Sequence, residues 1–331
     1  MAAVRLATFN VEELDDVPNA RPTLAERIKV MRPQLERLRP DILCLQEVHG
    51  QGEPKQLLAL DQLIANTPLA GFHRAHTTAS NGAAMAFRNL VILSRFPFVG
   101  APEQIKHTHT PKPQYRRVTA NPPDQAAQDI TWERPILKVQ IQLDQQRVLH
   151  LLNVHMKSKI PVTIPGRFTR RGRFNVFHTS SAWAEGLFIS AMERIGQAME
   201  ARIVIDQIFD AAEQANQDAL IAICGDFNDD NNQTPLKAIR GPIEEIGNEA
   251  LLNRIMIPCE QNVPEPARYS LFHLGHGEMI DHILVSRSML RFFARTEIHN
   301  ETLPDESGAF RTDREFPESD HAPVVASFDL P

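Results

Sequence analysis

One feature constrains this chain more than any other: short apolar runs recur along it, and each ends in polar, chemically able side chains. Residues 4–9 end in Asn10, residues 41–46 in Glu47, residues 148–154 in His155, and residues 219–224 in Gly225-Asp226-Phe227-Asn228. Met279-Ile280 lead into Asp281-His282 and the run 283–285, and Ser319-Asp320-His321 precede the run 322–328. Each run has the length and composition of a buried strand. A polar group at the end of such a strand meets solvent at the sheet rim, where residues distant in sequence can converge.

Helices punctuate the strands. In residues 23–39, Leu24, Ile28, Met31, Leu35 and Leu38 fall at helical spacing, and Pro33 is expected to kink or divide the helix. Residues 55–65 predict a second helix. Residues 180–215 predict one long helix, or two joined near Gly196. Further strands are expected at 88–95 and 135–143. Between those two, Pro97, Pro102, Pro111, Pro113, Pro122 and Pro123 exclude a regular element. Residues 157–178 form a second irregular stretch, carrying Lys157, Lys159, Arg167, Arg170, Arg171 and Arg173. Long irregular loops inside compact domains are often functional. Strands adjacent without intervening helices imply mixed, largely antiparallel sheets covered by helices. No Gly/Ser linker divides the chain, so residues 1–331 read as one domain.

Composition narrows the function classes. The net charge is −6, which argues against a protein held to nucleic acid by bulk charge; any such binding needs a local patch. The three cysteines, Cys44, Cys224 and Cys259, have neither zinc nor disulfide spacing, which fits a reducing compartment. The opening MAAVRLATFN lacks the pattern of a secretory signal, and no apolar run is long enough to span a membrane. The expected location is cytoplasmic.

Hydrolysing a phosphate ester requires three things. Hard divalent cations on oxygen ligands offset negative charge. A His backed by a carboxylate activates water. Donors reach the phosphoryl oxygens. The strand ends supply this set: carboxylates at Glu47, Asp226, Asp281 and Asp320, amides at Asn10 and Asn228, and imidazoles at His155 and His321. Singly, each has a plainer reading: Asn after a strand is ordinarily a turn residue, and Gly-Asp-Phe-Asn can be a turn.

Taken in order, ATFNVE, LCLQEV, LLNVHMKS, ICGDFND, MIDHILVS and ESDHAPVV resemble the endonuclease/exonuclease/phosphatase superfamily, over residues 7 to 325. That group contains deoxyribonucleases, abasic-site endonucleases, sphingomyelinases and inositol polyphosphate phosphatases. The resemblance implies an α/β four-layer α-β-β-α sandwich: two mixed, mostly antiparallel sheets packed face to face, with helices outside. It implies that Asn10, Glu47 and Asp320 hold Mg²⁺ or Mn²⁺, with Glu12 where some members carry an extra acid. It also implies that Asp226 and Asn228 position water and phosphate, that Asp281 orients His321 as general base, and that His155 binds phosphate or stabilises its transition state. Whether Asp226 or His321 takes the water's proton stays open.

The resemblance supplies no substrate. The basic stretch after His155, represented by Lys157, Arg170 and Arg171, favours a phosphate-ester partner such as DNA or RNA and a phosphodiesterase or nuclease. Tyr115 in KPQYRR could stack on a base. The alternative is a small-molecule or lipid-headgroup phosphatase, in which the same cations clamp a few phosphates. A binding protein with a decayed site is a third reading, disfavoured because every expected catalytic residue type is present. No protein partner is inferable.

Overall fold

The computed structural model describes residues 2–172, 174–242, 247, 249–308 and 316–330. Two parallel strand pairs organise it. β1 (Ala2–Leu14) and β2 (Ile42–Val48) are joined by helix α1 (Leu24–Leu38). β9 (Val148–His155) and β12 (Leu220–Asp226) are joined across helix α3 (Ser180–Gln214). Parallel neighbours need such a crossover. It also puts the C-terminal ends of both partners at the same edge of the sheet, so Asn10 and Glu47 share one rim and His155 and Asp226 share another.

Antiparallel strands complete each sheet. The first runs β17-β18-β1-β2-β4-β3, with β3 at His73–His76, β4 at Asn89–Ser94, β17 at Phe293–Ile298 and β18 at Val324–Leu330. The second runs β13-β16-β12-β9-β8-β5, with β5 at Glu103–Ile105, β8 at Ile136–Gln142, β13 at Met256–Pro258 and β16 at Asp281–Ser286. Strand alternation sorts the side chains into layers. Leu6, Ile42, Cys44 and Ile92 of the first sheet meet Val139, Leu151, Ala222 and Ile283 of the second. Leu43 and Leu45 face outward onto Met31 and Leu35 of α1 and onto Leu60 of α2 (Leu58–Ile64). Leu152, Ile221 and Ile223 face outward onto Val204 and Ile205 of α3 and onto Leu236 of α4 (Thr234–Arg240). Each such side chain contributes roughly 1.5–3 kcal/mol by burial. The result is the expected α-β-β-α sandwich.

The first helix lacks the expected division, and the long helix takes the first of its two expected forms. Helix α1 runs undivided through Pro33, with a Thr23–Glu26 capping box at its start. Its buried stripe of Met31, Leu35 and Leu38 offsets the hydrogen bond that proline removes. Helix α3 is continuous through Gly196, whose missing side chain admits the Trp132 ring: a Cβ there would lie 2.7 Å from Trp132 Cζ3.

The two stretches read as irregular are partly regular. The proline-rich one holds β5 and the short pair β6 (Gln114–Tyr115) and β7 (Gln128–Asp129). It is fastened to α3 by buried carboxylates. Glu200 accepts the N–H groups of His107, Thr108 and His109, and Glu185 accepts those of Val118 and Thr119. The basic stretch contains the hairpin β10 (Phe168–Arg171) and β11 (Phe174–Phe177). Phe168, Phe174, Val176 and Phe177 carry strand propensity that the surrounding charge hid. Arg173 lies outside the described residues. A third hairpin pairs β14 (Leu271–His273) with β15 (His276–Glu278), and a short helix α5 (Arg287–Leu290) follows β16. Among the described residues no helix is long and apolar enough to cross a membrane.

Candidate active site

The two rims meet at Asp226. Its close approach to β9 depends on Gly225, which has φ +140 and where a Cβ would lie 1.9 Å from the Val154 carbonyl oxygen. Asp226 Oδ1 accepts the Asn228 N–H at 2.8 Å. Its Oδ2 accepts the side-chain amides of Asn228 at 3.0 Å and Asn10 at 3.1 Å, and lies 3.2 Å from His155 Nε2. Asp226 is thus a hub joining strands of both sheets. Burial pushes its carboxyl up to about 7.

His321 stands beside it. Its Nδ1 is 2.7 Å from Asp281 Oδ2, and its Nε2 faces Asn10 Nδ2 at 3.4 Å. The Ser319 hydroxyl donates to the Asn10 carbonyl at 2.7 Å and accepts the His321 N–H at 3.1 Å, which fixes the turn that presents the imidazole. Burial lowers the His321 pKa, but Asp281 and then Asp320 outweigh it and hold the ring well above its ordinary range.

His155 is buried and takes the opposite state. Burial, then the nearby Arg134 charge, pushes it well below its ordinary range. Its Nε2 lies between Asp226 Oδ2 and Glu47 Oε1, at 3.2 and 3.4 Å, so the neutral ring carries its proton there.

An acidic cluster adjoins this group. Glu12 Oε2 accepts the Asp320 N–H at 3.1 Å, and Glu47 Oε2 accepts the Glu13 N–H at 3.0 Å. Glu12 (φ 46), Glu47 (φ 62) and Asn228 (φ 53) all occupy the left-handed region, a strain that surrounding bonds hold in place. Arg27 of α1 does so for Glu12, donating to the Val11 and Glu12 carbonyls at 2.7 and 2.8 Å. Burial, then Asp320, pushes the Glu12 carboxyl up to about 8; burial raises Asp320 to about 6. Asp320 Oδ1 is buried without a hydrogen-bond partner. A set of hard oxygens with an orphaned carboxylate oxygen fits a divalent cation such as Mg²⁺ or Mn²⁺. Asp226, Asp281 and His321 also bring one ligand atom each within 4.8 Å of one another. Among the described residues this is the group whose ligand atoms come so close; Glu12, Glu47 and Asp320 adjoin it without reaching that spacing, and His321 Nδ1 within it is engaged by Asp281. Asn10 lies between the two groups: its Oδ1 accepts the Glu12 N–H at 3.0 Å while its amide donates toward Asp226.

The basic residues separate. Lys157 lies two residues after His155, its N–H fixed by Gln197 Oε1 of α3 at 2.9 Å. Lys159 pairs with Glu278 at 3.3 Å and Asp229 at 3.6 Å. Arg167 donates to the Thr119 carbonyl. Arg170 and Arg171 are exposed on the β10–β11 hairpin. Tyr115 donates to Glu185 at 3.0 Å and packs edge-on against Phe188, part of the loop anchor.

Sequence reading missed two cations. Arg134, just ahead of β8, is buried, donates to the Met156 carbonyl at 3.2 Å and leaves its Nε without a partner. Arg88, just ahead of β4, bonds Glu13 at 2.9 Å. Both lie close enough to His155 to act on its charge. The available signal was that each is the last cation before a strand of the rim. Also missed was a buried bridge beneath the site. Gln46 donates to Asn153 Oδ1 at 2.7 Å, and Asn153 donates to the Leu45 and Val91 carbonyls at 3.0 Å, locking the sheets together.

A two-sheet sandwich with an acid, amide and imidazole rim is the arrangement of a phosphoesterase. Residues 7–321 match the endonuclease/exonuclease/phosphatase family, and the chain belongs to it. It is therefore a hydrolase of phosphoric esters, in a family whose enzymes depend on divalent metals. No curated protein matches the sequence. Solved structures that share the fold include an endonuclease/exonuclease/phosphatase family protein from Bacteroides thetaiotaomicron, with TM-score 0.58 and 16% identity, covering 99% of this chain and 96% of that one. D. rerio TDP2 complexed with single-strand DNA product gives TM-score 0.55 and 15% identity, covering 100% of both. The 3′ phosphatase NExo from Neisseria, bound to product DNA hairpin, gives TM-score 0.50 and 18% identity, covering 99% of this chain and 100% of that one.

Proposed function

We propose that the protein is a divalent-metal-dependent phosphodiesterase acting on nucleic-acid strands. The observation that carries this reading is the His321–Asp281 pair, 2.7 Å apart, set between the Asp226 hub and an all-oxygen acid cluster. Glu47, Asp320 and Glu12 would hold Mg²⁺ or Mn²⁺, with Asn10 beside them. When bound, the ion would offset charge on the phosphoryl oxygens. His321 takes the proton of the attacking water at Nε2, the atom facing the rim, and Asp281 orients the ring and stabilises the imidazolium. Asp226 and Asn228 position the water and the phosphoryl group, and His155 steadies Asp226 and Glu47. Lys157, Arg134 and Arg88 supply positive charge to the phosphate.

Nucleic acid is favoured because the exposed Arg170 and Arg171 extend cationic surface past the reacting centre, as contact with several phosphates requires. Two neighbours in fold are bound to DNA products. The test is cleavage of single- and double-stranded DNA, RNA, inositol phosphates and phospholipids after chelation and after return of Mg²⁺ or Mn²⁺. Metal-restored cleavage of DNA or RNA is expected. Full activity in a verified metal-free preparation would overturn the mechanism, and turnover confined to small or lipid phosphate esters would overturn the substrate.

A further inference from the structure

Helix α3 turns a polar face inward over its first half. Ser190, Arg194 and Gln197, spaced by four and three residues, fall on one face, and all are buried. Further along, the buried face is apolar, with Ala201, Val204, Ile205 and Ile208. Burying a guanidinium is costly, and a buried ion pair is weak evidence for stability. What the polar stretch touches gives another reason for it. Ser190 Oγ donates to the Ile160 carbonyl at 2.7 Å. Arg194 Nη1 donates to the carbonyls of Lys157 and Ser158, each at 3.1 Å. Gln197 Oε1 accepts the Lys157 N–H at 2.9 Å. Two turns of α3 therefore hold the segment that leaves His155.

Arg194 also reaches the end of the neighbouring strand. Its Nε donates to Asp229 Oδ2 at 2.8 Å, and both side chains are buried. Asp229 follows Asn228, and Lys157 follows Met156. Asn228 in turn donates its side-chain amide to the Met156 carbonyl at 3.1 Å and to Asp226 Oδ2 at 3.0 Å. These contacts close a ring: from Asn228 to Met156, along the chain to Lys157, across Arg194 to Asp229, and back to Asn228. The ring spans the ends of β9 and β12, and Asn228, at φ 53, is its strained member. Serving a carboxylate and two carbonyls at once needs a planar fork of donors; an ammonium on a flexible stem is a single point charge. Lys159 also approaches Asp229, at 3.6 Å, but as an exposed side chain.

We propose that Arg194 is a positioning residue for phosphoester hydrolysis, holding Asn228 so that its amide stays on Asp226 and Met156. Among the described residues its polar contacts are Asp229, Lys157 and Ser158, so it acts through the two strand-end loops. The proposal rests on the reading of Asn228 given above.

The test is a double-mutant cycle in the full chain, read by metal-dependent cleavage of bis(p-nitrophenyl) phosphate. Arg194→Lys keeps the charge and loses the fork. It should lower kcat by roughly 10²-fold, the cost of misplacing a reacting group by about 1 Å, with a smaller change in KM. Arg194→Lys combined with Asn228→Ala should be no slower than Asn228→Ala alone, because the first change acts through the second residue. Mn²⁺ affinity should not change, because the acid cluster is untouched. Asp229→Asn keeps volume and an acceptor oxygen, and is the second variant should Arg194→Lys fail to fold; it should show the same non-additivity. Wild-type kcat in both variants, even with a lowered melting temperature, would leave the pair a structural role and overturn the proposal. Losses that multiply with that of Asn228→Ala, or that are matched by lost Mn²⁺ affinity, would overturn it too. Wild-type turnover by Asn228→Ala itself would instead overturn the reading of Asn228.

Discussion

Asp281 Oδ2 and His321 Nδ1 are 2.7 Å apart although they belong to different sheets: Asp281 opens β16 of the second, and His321 lies just ahead of β18 of the first. The pair exists only when the sandwich is closed, so core packing assembles it. On the proposed mechanism it should also set the pH response. Burial lowers the His321 pKa, but Asp281 and then Asp320 hold it well above 6.5, so the neutral ring that can accept a proton appears only as pH rises through that raised value. Turnover should therefore climb from neutral into alkaline pH. Asp281→Asn removes the largest raising partner and should move the acid limb of kcat to lower pH while lowering its plateau. His321→Ala should lose roughly 10²–10⁴-fold. A limb that does not move in Asp281→Asn would remove His321 from the base role.

Metal binding should be measurable without substrate. Asp320 and its neighbours Glu12 and Glu47 repel when charged, and burial of Glu12 and Asp320 adds to that cost. Titration calorimetry with Mn²⁺ should show affinity falling by at least the roughly 10–100-fold seen for outer-shell partners in Asp320→Asn and Glu47→Gln. Glu103→Gln, an exposed acid paired with Lys138, serves as the control. Equal affinity in all three proteins would place the ion elsewhere.

Arg134 should matter to substrate more than to fold. Its buried guanidinium lies close enough to His155 for its charge to lower the imidazole pKa, so the same charge would act on a phosphate held at His155. Arg134→Lys keeps the charge but loses the planar fork, and should raise KM or lower kcat by roughly tenfold or more. Wild-type kinetics in this variant, with thermal stability unchanged, would confine Arg134 to a structural role.

The strand-end residues were legible because their motifs combine an apolar run with a rare polar terminus, a pattern that survives without contact information. His321 and Asp281 could be paired from sequence only through the family resemblance. The Gln46–Asn153 bridge shows what stays hidden. Both residues stood inside quoted motifs, yet their bond crosses two sheets and 107 positions. No local periodicity encodes such a contact. Arg134 and Arg88 were missed for the same reason, since a lone arginine before a strand reads as solvated until the fold buries it, as it does Arg134, or sets it against an acid, as it does Arg88. The β10–β11 hairpin was misread because charge masked a strand pattern.

A second buried pair supports the loop that carries Asn228. His282 Nδ1 lies 2.6 Å from Glu260 Oε1, its Nε2 lies 2.8 Å from the Asp229 carbonyl, and both side chains are fully buried. Burial pushes the imidazole down, but Glu260 outweighs it and raises His282 above 6.5. Because the folded value is the higher one, the stability this contributes is present below the unfolded value and lost as pH rises through the folded one. Glu260→Ala should cost roughly 3–5 kcal/mol in urea unfolding at acid-side pH, the range for breaking a buried pair. The gap from wild type should narrow as pH rises. A constant gap would mean that the pair carries no charge.

The β10–β11 hairpin tests the length of the substrate. Arg170 pairs across it with Asn175 and Arg171 with Phe174, both arginines are exposed, and Phe174 and Asn175 line a cleft together with Asn228. On the nucleic-acid reading, Arg170 and Arg171 should contact phosphates other than the reacting one. Each phosphate neutralised on a single strand contributes a slope of about −0.7 in log affinity against log salt. The double variant Arg170→Ala with Arg171→Ala should therefore flatten the salt dependence of single-stranded DNA binding by about 1.4. It should leave the inhibition constant of a nucleoside monophosphate unchanged, because that ligand carries a single phosphate, which the reacting centre takes. Cleavage and binding of a DNA oligonucleotide across a salt series, wild type beside the double variant, make the comparison. An unchanged slope would confine recognition to the reacting centre and shorten the substrate to a small phosphodiester.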